Sequence, residues 1–322
     1  MAAPRSSSIN LIGDKSKDGM VRYDTPEEVN HLLKAFRKRG YNHLDSARLY
    51  AAHAIGTSEP RLGAAKAGDT FTIDTKVNSS REGGHSKANI LSEINDSLKA
   101  LRMTQVNILY LHLPDRKTDI KETCEGLDQA YREGKFKTWG ICNISASEVQ
   151  KFMDVCEENG FVKPSVYQGQ YNAIVRGAEK DLFPLLRKYD MPFYAYSPAA
   201  AGFFAGNHKE GREGSRFDQK LLLGGLYRNF YLKPSIMAAT EKALLSASKH
   251  GISGHAAALR WVAHHSTLEP EHGDSIVFAA SSLAQLNDNI DFFEAGPLPA
   301  DVVEALEAIY GAIGEDEVLY HM

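Results

Sequence analysis

The strongest constraint on the fold of this chain is its rhythm, because strand-like and helix-like segments alternate along most of its length. Short apolar runs with strand character recur at Tyr41–Ser46, FTIDTKV, NILYLHL, TWGICNI, SVYQGQYN, FYAYSP and SIVFAA. Between them lie segments with an apolar stripe at helical spacing and a start signal ahead of it. Thr25-Pro26-Glu27-Glu28 opens a helix with Val29, Leu32, Leu33 and Phe36 on one face, and Gly40 stops it. Gly56-Thr57-Ser58-Glu59 opens the second, with Pro60 in its first turn. Ser86 opens a third carrying Ile90, Ile94, Leu98 and Leu101, and Ser145 a later one carrying Val149, Phe152, Met153 and Cys156.

Helices are also expected near 120–133, 177–189, 236–250 and 254–265, with two more after the last strand. Residues 199–235 read as a long irregular segment, and the only apolar run ahead of the first helix is a weak one at Ile9–Ile12. About eight βα units imply a parallel sheet, and that number favours a closed (β/α)₈ TIM barrel over an open doubly wound sheet. No GxGxxG follows the first strand, which also argues against the open sheet. No linker rich in Pro, Gly or Ser parts the chain, so residues 1–322 are expected to form a single domain.

Composition bounds the partners. With 43% hydrophobic and 24% charged residues, this is the composition of an ordinary soluble globular protein. A net charge of -4 gives no electrostatic case for nucleic acid or an acidic membrane. There is no apolar run of membrane-spanning length and no apolar leader in MAAPRSSSIN. Cys124, Cys142 and Cys156 lack CxxC spacing and are expected to be reduced, which together with the rest predicts a cytoplasmic protein.

In a closed barrel the C-terminal ends of the strands surround one mouth. Asp45, Lys76, His112, Asn143, Gln168, Tyr196 and Ser281 all fall at or near such ends, and Tyr50 lies five residues beyond Asp45. Taken singly, each has an ordinary explanation. Tyr50 could be surface or core, Lys76 an edge-strand gatekeeper, His112 a core histidine, Asn143 and Gln168 strand-end caps, and Tyr196 mouth packing. Convergence is the functional argument. A phenol donates a proton poorly near neutrality unless something stabilises the phenolate, and a neighbouring ammonium held by a carboxylate does so. A neutral imidazole can polarise a carbonyl oxygen. HExxH, GxSxG and clustered Cys/His ligands are all absent, and His264-His265 sits late in a helix, where the dipole explains it better than a metal does. A carbonyl that gains a proton from Tyr50 needs hydride from a nicotinamide.

The ordered set DSARLY, GTSE, TK, LHLPDR, GICN, YQGQYN and AYSP resembles the aldo-keto reductase family over about residues 26–295. YQGQYNA, SRF…LYRNFYLK and FAASSLAQLNDN resemble its aflatoxin-aldehyde and succinic-semialdehyde reductase branch. The resemblance implies an NADPH-dependent carbonyl reductase with Tyr50 as proton donor, Lys76 and Asp45 tuning it, and His112 orienting the carbonyl. It implies further that Asn143 and Gln168 hold the carboxamide, that Tyr196 stacks on the nicotinamide, and that Ser197 begins a loop over the pyrophosphate. Ser281, Ser282, Gln285 and Asn289 would hold the adenosine end, Arg216 the phosphates, and Tyr227 would face the substrate. A homodimer is also the habit of the branch.

Several residues depart from the pattern. Asp14, in LIGDKSKDGM, stands where the family has threonine after its first strand, which marks that strand as atypical. Cys142-Asn143 replaces Ser-Asn, and Gly206-Asn207 replaces Gly-Lys. Phe230 stands where the branch has an arginine able to meet a substrate carboxylate, and EDEVLYHM lacks the branch's terminal arginine. Two cations lost from the expected pocket point to a neutral, fairly apolar substrate. No Lys or Arg lies between Ser281 and Asn289, so the preference for NADPH comes from the resemblance alone. Three other readings compete: a barrel that binds the cofactor but serves a regulatory role, a lyase or isomerase using Lys76 as a Schiff base, and a partner-binding scaffold.

Overall fold

The computed structural model describes residues 4–8, 11–209 and 216–322, the first five as backbone only. Eight parallel strands close a barrel in simple sequential order. They are β1 (Pro4–Ser8), β2 (His43–Asp45), β3 (Thr72–Val77), β4 (Val106–Leu111), β5 (Phe136–Cys142), β6 (Val166–Gln170), β7 (Phe193–Tyr196) and β8 (Ser275–Phe278). Around them run α1 (Pro26–Lys38), α2 (Ser58–Ala64), α3 (Lys87–Leu101), α4 (Ile120–Arg132), α5 (Ala146–Asn159) and α6 (Ala178–Lys188). After β7 come α7 (Leu222–Tyr231), α8 (Pro234–Lys249) and α9 (Gly254–His264), and after β8 come α10 (Leu283–Glu294) and α11 (Ala300–Ile313).

Three of the four start signals cap their helices, at Thr25, Ser86 and Ser145, whereas Thr57 makes no cap bond on α2 and its hydroxyl donates to the Ala54 carbonyl at 2.7 Å. At α1 the Thr25 hydroxyl accepts from the Glu28 N–H while the Glu28 carboxylate accepts from the Thr25 N–H, both at 3.3 Å. Ser145 and Glu148 form the same reciprocal cap on α5. Strands β2 to β8 are buried along most of their length on both faces, which is why most of them read as near-continuous apolar runs. Along β4, Leu109 and Leu111 pack outward into the large core shared with the helices, where Trp139, Phe193 and Trp261 also lie. Ile108 and Tyr110 belong to a second, smaller cluster with Cys142, Val166, Tyr194 and Val277 inside the barrel.

Two expectations need correction. The first strand is not the Ile9–Ile12 run, of which residues 9 and 10 lie outside the described residues. It is Pro4–Ser8, which pairs in parallel with β2 (Ser8 with Asp45) and with β8 (Pro4 with Ile276). PRSSS has no apolar periodicity, so only the backbone ladder to two neighbours makes it a strand. Ile12 is instead fully buried and forms an isolated bridge with Tyr23.

Second, the segment 199–235 is not irregular throughout, since it contains α7. The glycine pair 224–225 hid that helix. A Cβ on Gly224 would lie 1.8 Å from the Asp218 carbonyl oxygen, so close approach of the backbone demands a glycine there despite its poor helix propensity. Among the described residues no helix is long and apolar enough to cross a membrane.

Candidate active site

β2 ends at Asp45, and the next five residues carry the chain over the barrel rim to Tyr50. Ladder-like backbone bonds from Ser46 N to Asp74 O (2.8 Å) and from Arg48 N to Lys76 O (3.0 Å) prolong the pairing with β3, so this turn rides on the strand that carries Lys76. The Lys76 ammonium is almost fully buried. It donates to Asp45 Oδ1 at 2.6 Å and to the Ser46 carbonyl at 2.8 Å. Burial alone would pull this ammonium's pKa down; the Asp45 carboxylate, reinforced by Tyr50 and Cys142, outweighs it and holds the pKa above the ordinary lysine value.

The Tyr50 hydroxyl donates to Asp45 Oδ2 at 3.5 Å, the outer limit of a hydrogen bond. The Lys76 nitrogen stands 5.1 Å from the centre of the Tyr50 ring. His112, one residue past β4, meets the Tyr50 ring nearly edge-on, with centroids 5.8 Å apart and planes at 80°. Burial first, and then repulsion from Lys76, push the His112 pKa down to about 3, so the imidazole is neutral at ordinary pH. Its buried Nδ1 has no hydrogen-bond partner among the described residues. Tyr50, Lys76, Asp45 and His112 thus come together as the strand-end argument anticipates.

The residues expected at the cofactor divide into two sets. Asn143 follows β5 in a left-handed conformation (φ 60°), which asparagine tolerates better than most residues. Its Nδ2 donates to the His112 carbonyl at 2.8 Å, and its Oδ1 accepts from the Tyr196 hydroxyl at 2.7 Å. Gln168 lies within β6, not beyond it, and its Nε2 donates to Asp45 Oδ1 at 2.8 Å. What Gln168 can still offer a ligand is its Oε1 acceptor and the second Nε2 hydrogen. Ser197, Ala200 and Ala201 all have positive φ, and the N–H groups of Ala200, Gly202 and Phe203 bond the Ser197, Ala199 and Ala200 carbonyls within this turn.

At the far side Ser282 caps α10, accepting from Gln285 N at 3.1 Å, while the Ser281 hydroxyl and N–H both donate to Gln285 Oε1. Asn289 is engaged internally, with its Nδ2 on the Ala279 carbonyl at 3.2 Å and its Oδ1 against His255 Nε2 at 2.8 Å. Arg216 NH1 donates to the Tyr227 hydroxyl at 3.4 Å, and Tyr227 stacks on Tyr231. A nicotinamide dinucleotide fits the polar groups at the two ends of this surface: the amides of Asn143 and Gln168 with the Tyr196 phenol on one side, and exposed Ser281 and Ser282 at the α10 N-terminus on the other.

A cavity of about 390 Å³ opens beside Asn143 and Tyr196, walled by Leu226, Phe230, Lys233 and residues 317–322. Phe230 lines it, whereas Tyr227 does not. The closing tail was not anticipated: Met322 N donates to the Asn143 carbonyl at 3.0 Å, and Arg116 holds the Met322 carbonyl. Also unanticipated is the burial of Glu59, which lies fully buried on α2 with Arg48 and Thr75 as partners. The signal for it was its place in GTSE, read as a helix start and as part of the family pattern but not as a buried carboxylate. His264 and His265 bond the Phe293 carbonyl and the Leu298 N–H, which ties α9 to the chain around α10.

The sequence model described as the Aldo/keto reductase family matches residues 12–311. The chain is 37% identical to an aldo-keto reductase of Pseudocercospora fijiensis over 88% of its own length and 97% of that protein. It is 34% identical to the oxidoreductase sirO of Leptosphaeria maculans, over 96% and 93% of the two chains. It is 36% identical to human aflatoxin B1 aldehyde reductase member 2, over 92% and 85%. A closed parallel barrel with this constellation at its mouth, together with these matches, makes the chain a member of the aldo/keto reductase family. It is accordingly an NAD(P)H-dependent oxidoreductase acting on carbonyl compounds.

Proposed function

We propose that the protein reduces a neutral, fairly apolar aldehyde or ketone to the alcohol with NADPH, the proton coming from Tyr50. The observation that carries this reading is the buried Lys76–Asp45 pair set against the Tyr50 ring. When the carbonyl oxygen takes the phenol proton, negative charge appears on Tyr50 Oη, and a fixed ammonium in a dry setting stabilises it without reorganisation. Asp45 keeps that ammonium charged and aimed. Neutral His112 can donate from a ring nitrogen to the carbonyl oxygen and orient it. A nicotinamide, when bound, supplies the hydride.

Asn143, Gln168 Oε1 and Tyr196 would hold its ring end, Ser197 and the turn after it the pyrophosphate, and Ser281, Ser282, Gln285 and Asn289 the adenosine end. Arg216 would approach the phosphates, away from its present Tyr227 partner. NADPH is proposed over NADH on family membership.

The substrate class rests on the cavity wall. Leu226, Phe230, Val318, Leu319 and Met322 are apolar; the wall also carries Glu317 and His321, and its one ammonium, Lys233, already donates to the Asp316 carbonyl at 3.0 Å, so no free cation among the described lining residues awaits an anionic substrate. The relative named as an aflatoxin B1 aldehyde reductase supports an aldehyde as the reacting group. Oxidation of NADPH with p-nitrobenzaldehyde, wild type against Tyr50→Phe, tests the reading. Turnover confined to the wild type supports it, and turnover undiminished in the variant overturns it.

A further inference from the structure

Glu59 has no place in the chemistry just described, yet it is a fully buried carboxylate whose two oxygens reach to either side of the reacting pair. Oε1 accepts from the Thr75 hydroxyl at 2.6 Å. Oε2 accepts from Arg48 NH1 at 3.0 Å and from the Ser97 hydroxyl at 3.2 Å. Thr75 is the residue before Lys76 on β3. Because side chains alternate along a strand, Thr75 points outward to α2 while Lys76 points into the barrel. Arg48 stands two residues before Tyr50 and is held from its other side by Glu93, its Nε donating to Oε2 at 3.1 Å.

We propose that Glu59 is a positioning residue that sets the separation of the Tyr50 phenol from the Lys76 ammonium, gripping the Tyr50 turn through Arg48 and β3 through Thr75. The assignment rests on Tyr50 being the proton donor. Its physical basis is the cost of leaving a buried carboxylate short of partners: Glu59 can keep all its donors only while the turn and the strand stay in one relative placement. The backbone bonds between them are two, at Ser46 and Arg48, and neither is at Tyr50 itself. The Tyr50 carbonyl is tied instead to Ser58 N, the residue before Glu59, at 3.2 Å. Glu59 and its neighbour thus brace the turn at both ends.

Thr75→Val is the sharpest test, because it removes one donor while keeping the shape of the side chain, and Thr75→Ser returns the donor. In the full chain with NADPH and p-nitrobenzaldehyde, Thr75→Val is expected to lower kcat about tenfold, the scale of a sub-ångström misplacement of a reacting group. NADPH affinity by fluorescence titration should stay at the wild-type value, and Thr75→Ser should restore kcat. The second readout needs no cofactor. The tyrosinate absorbance of wild type minus Tyr50→Phe isolates the Tyr50 titration, and in the Thr75→Val background that step should move up by about one pH unit as the ammonium recedes.

Glu59→Gln, which loosens the Arg48 grip, should move both readouts the same way. A folded Thr75→Val or Glu59→Gln with wild-type kcat and an unmoved Tyr50 step would overturn the proposal. Either variant that melts near the wild type suffices for this. Full turnover in Tyr50→Phe would instead remove the proton-donor reading on which the assignment stands.

Discussion

Lys76 Nζ and Asp45 Oδ1 lie 2.6 Å apart with both side chains about 1% exposed, an ion pair sealed inside the barrel mouth. A pair this dry is costly to half-remove. Asp45→Asn leaves an ammonium without its counter-charge, and the expected loss is about 3–5 kcal/mol of folding stability, as for other buried pairs with one partner deleted. Urea melts of the two proteins measure it. A change below about 1 kcal/mol would place the pair in the range of exposed ion pairs and contradict its burial.

Lys76→Met removes the charge that faces the Tyr50 phenol while keeping length and apolar bulk. The expected result is a fall in kcat of at least about 10²-fold, the size of effect seen when one preorganised electrostatic donor is lost. NADPH binding by fluorescence should persist. A kcat within a few-fold of wild type would show that the ammonium is not needed for proton donation.

Acid should unfold the protein in a window set partly by two buried imidazoles. His112 is pushed down from 6.5 to about 3, and His85, which pairs with the Ser79 hydroxyl, from 6.5 to about 4, both chiefly by burial. A depressed histidine binds its proton more readily in the unfolded chain, so stability is complete above pH 6.5 and is lost as pH falls from there towards 3–4. At the alkaline end the sign reverses for Lys76. Its raised value contributes stability that is whole below the ordinary 10.5 and is lost as pH climbs through the folded value. Chemical denaturation across pH should show a shallower acid slope in His85→Gln than in wild type; equal slopes would refute the assignment of His85.

Phe230→Arg puts a cation on the cavity wall where the related reductases are expected to carry one. KM for succinic semialdehyde should fall about tenfold relative to that for p-nitrobenzaldehyde, the discrimination that one new charge pair provides. If wild type already prefers the anionic aldehyde strongly, Phe230 does not set the preference, and Lys233 becomes the residue to change.

Gly140→Ala tests the barrel interior. A Cβ there would come within 2.6 Å of both the Tyr110 ring and Val166, and Tyr110 sits 5.5 Å from Lys76 Nζ. Overpacking of this kind should cost about 1–3 kcal/mol in a thermal or urea melt. The displaced ring should also lower kcat. A stable, fully active variant would mean the interior has slack that the packing does not show.

Much of the candidate site was legible in the sequence because its residues carry local signatures. Asp45, Lys76, His112 and Asn143 stand where apolar strands run out, and in a closed parallel barrel that address implies a shared mouth. What each side chain bonds to was not legible. Gln168 gives its amide nitrogen to Asp45, Asn289 is occupied by Ala279 and His255, and Tyr227 packs against Tyr231 away from the cavity. Apart from Tyr227 and Tyr231, one helical turn apart in α7, these are choices among partners ten or more residues away, and no spacing rule encodes them.

The alternation of strands and helices from α1 to β7, the caps at Thr25, Ser86 and Ser145 and the residue types at the rim were settled by the sequence itself, through periodicities and turn chemistry that act over a few residues. The making of PRSSS into a strand, the bend of residues 317–322 over Asn143, and the clasp of Glu59 on Arg48 and Thr75 were settled only by the closed barrel. Their energy comes from backbone ladders and buried polar contacts between segments tens to hundreds of residues apart. Those groups meet only once the barrel has closed and excluded water from them.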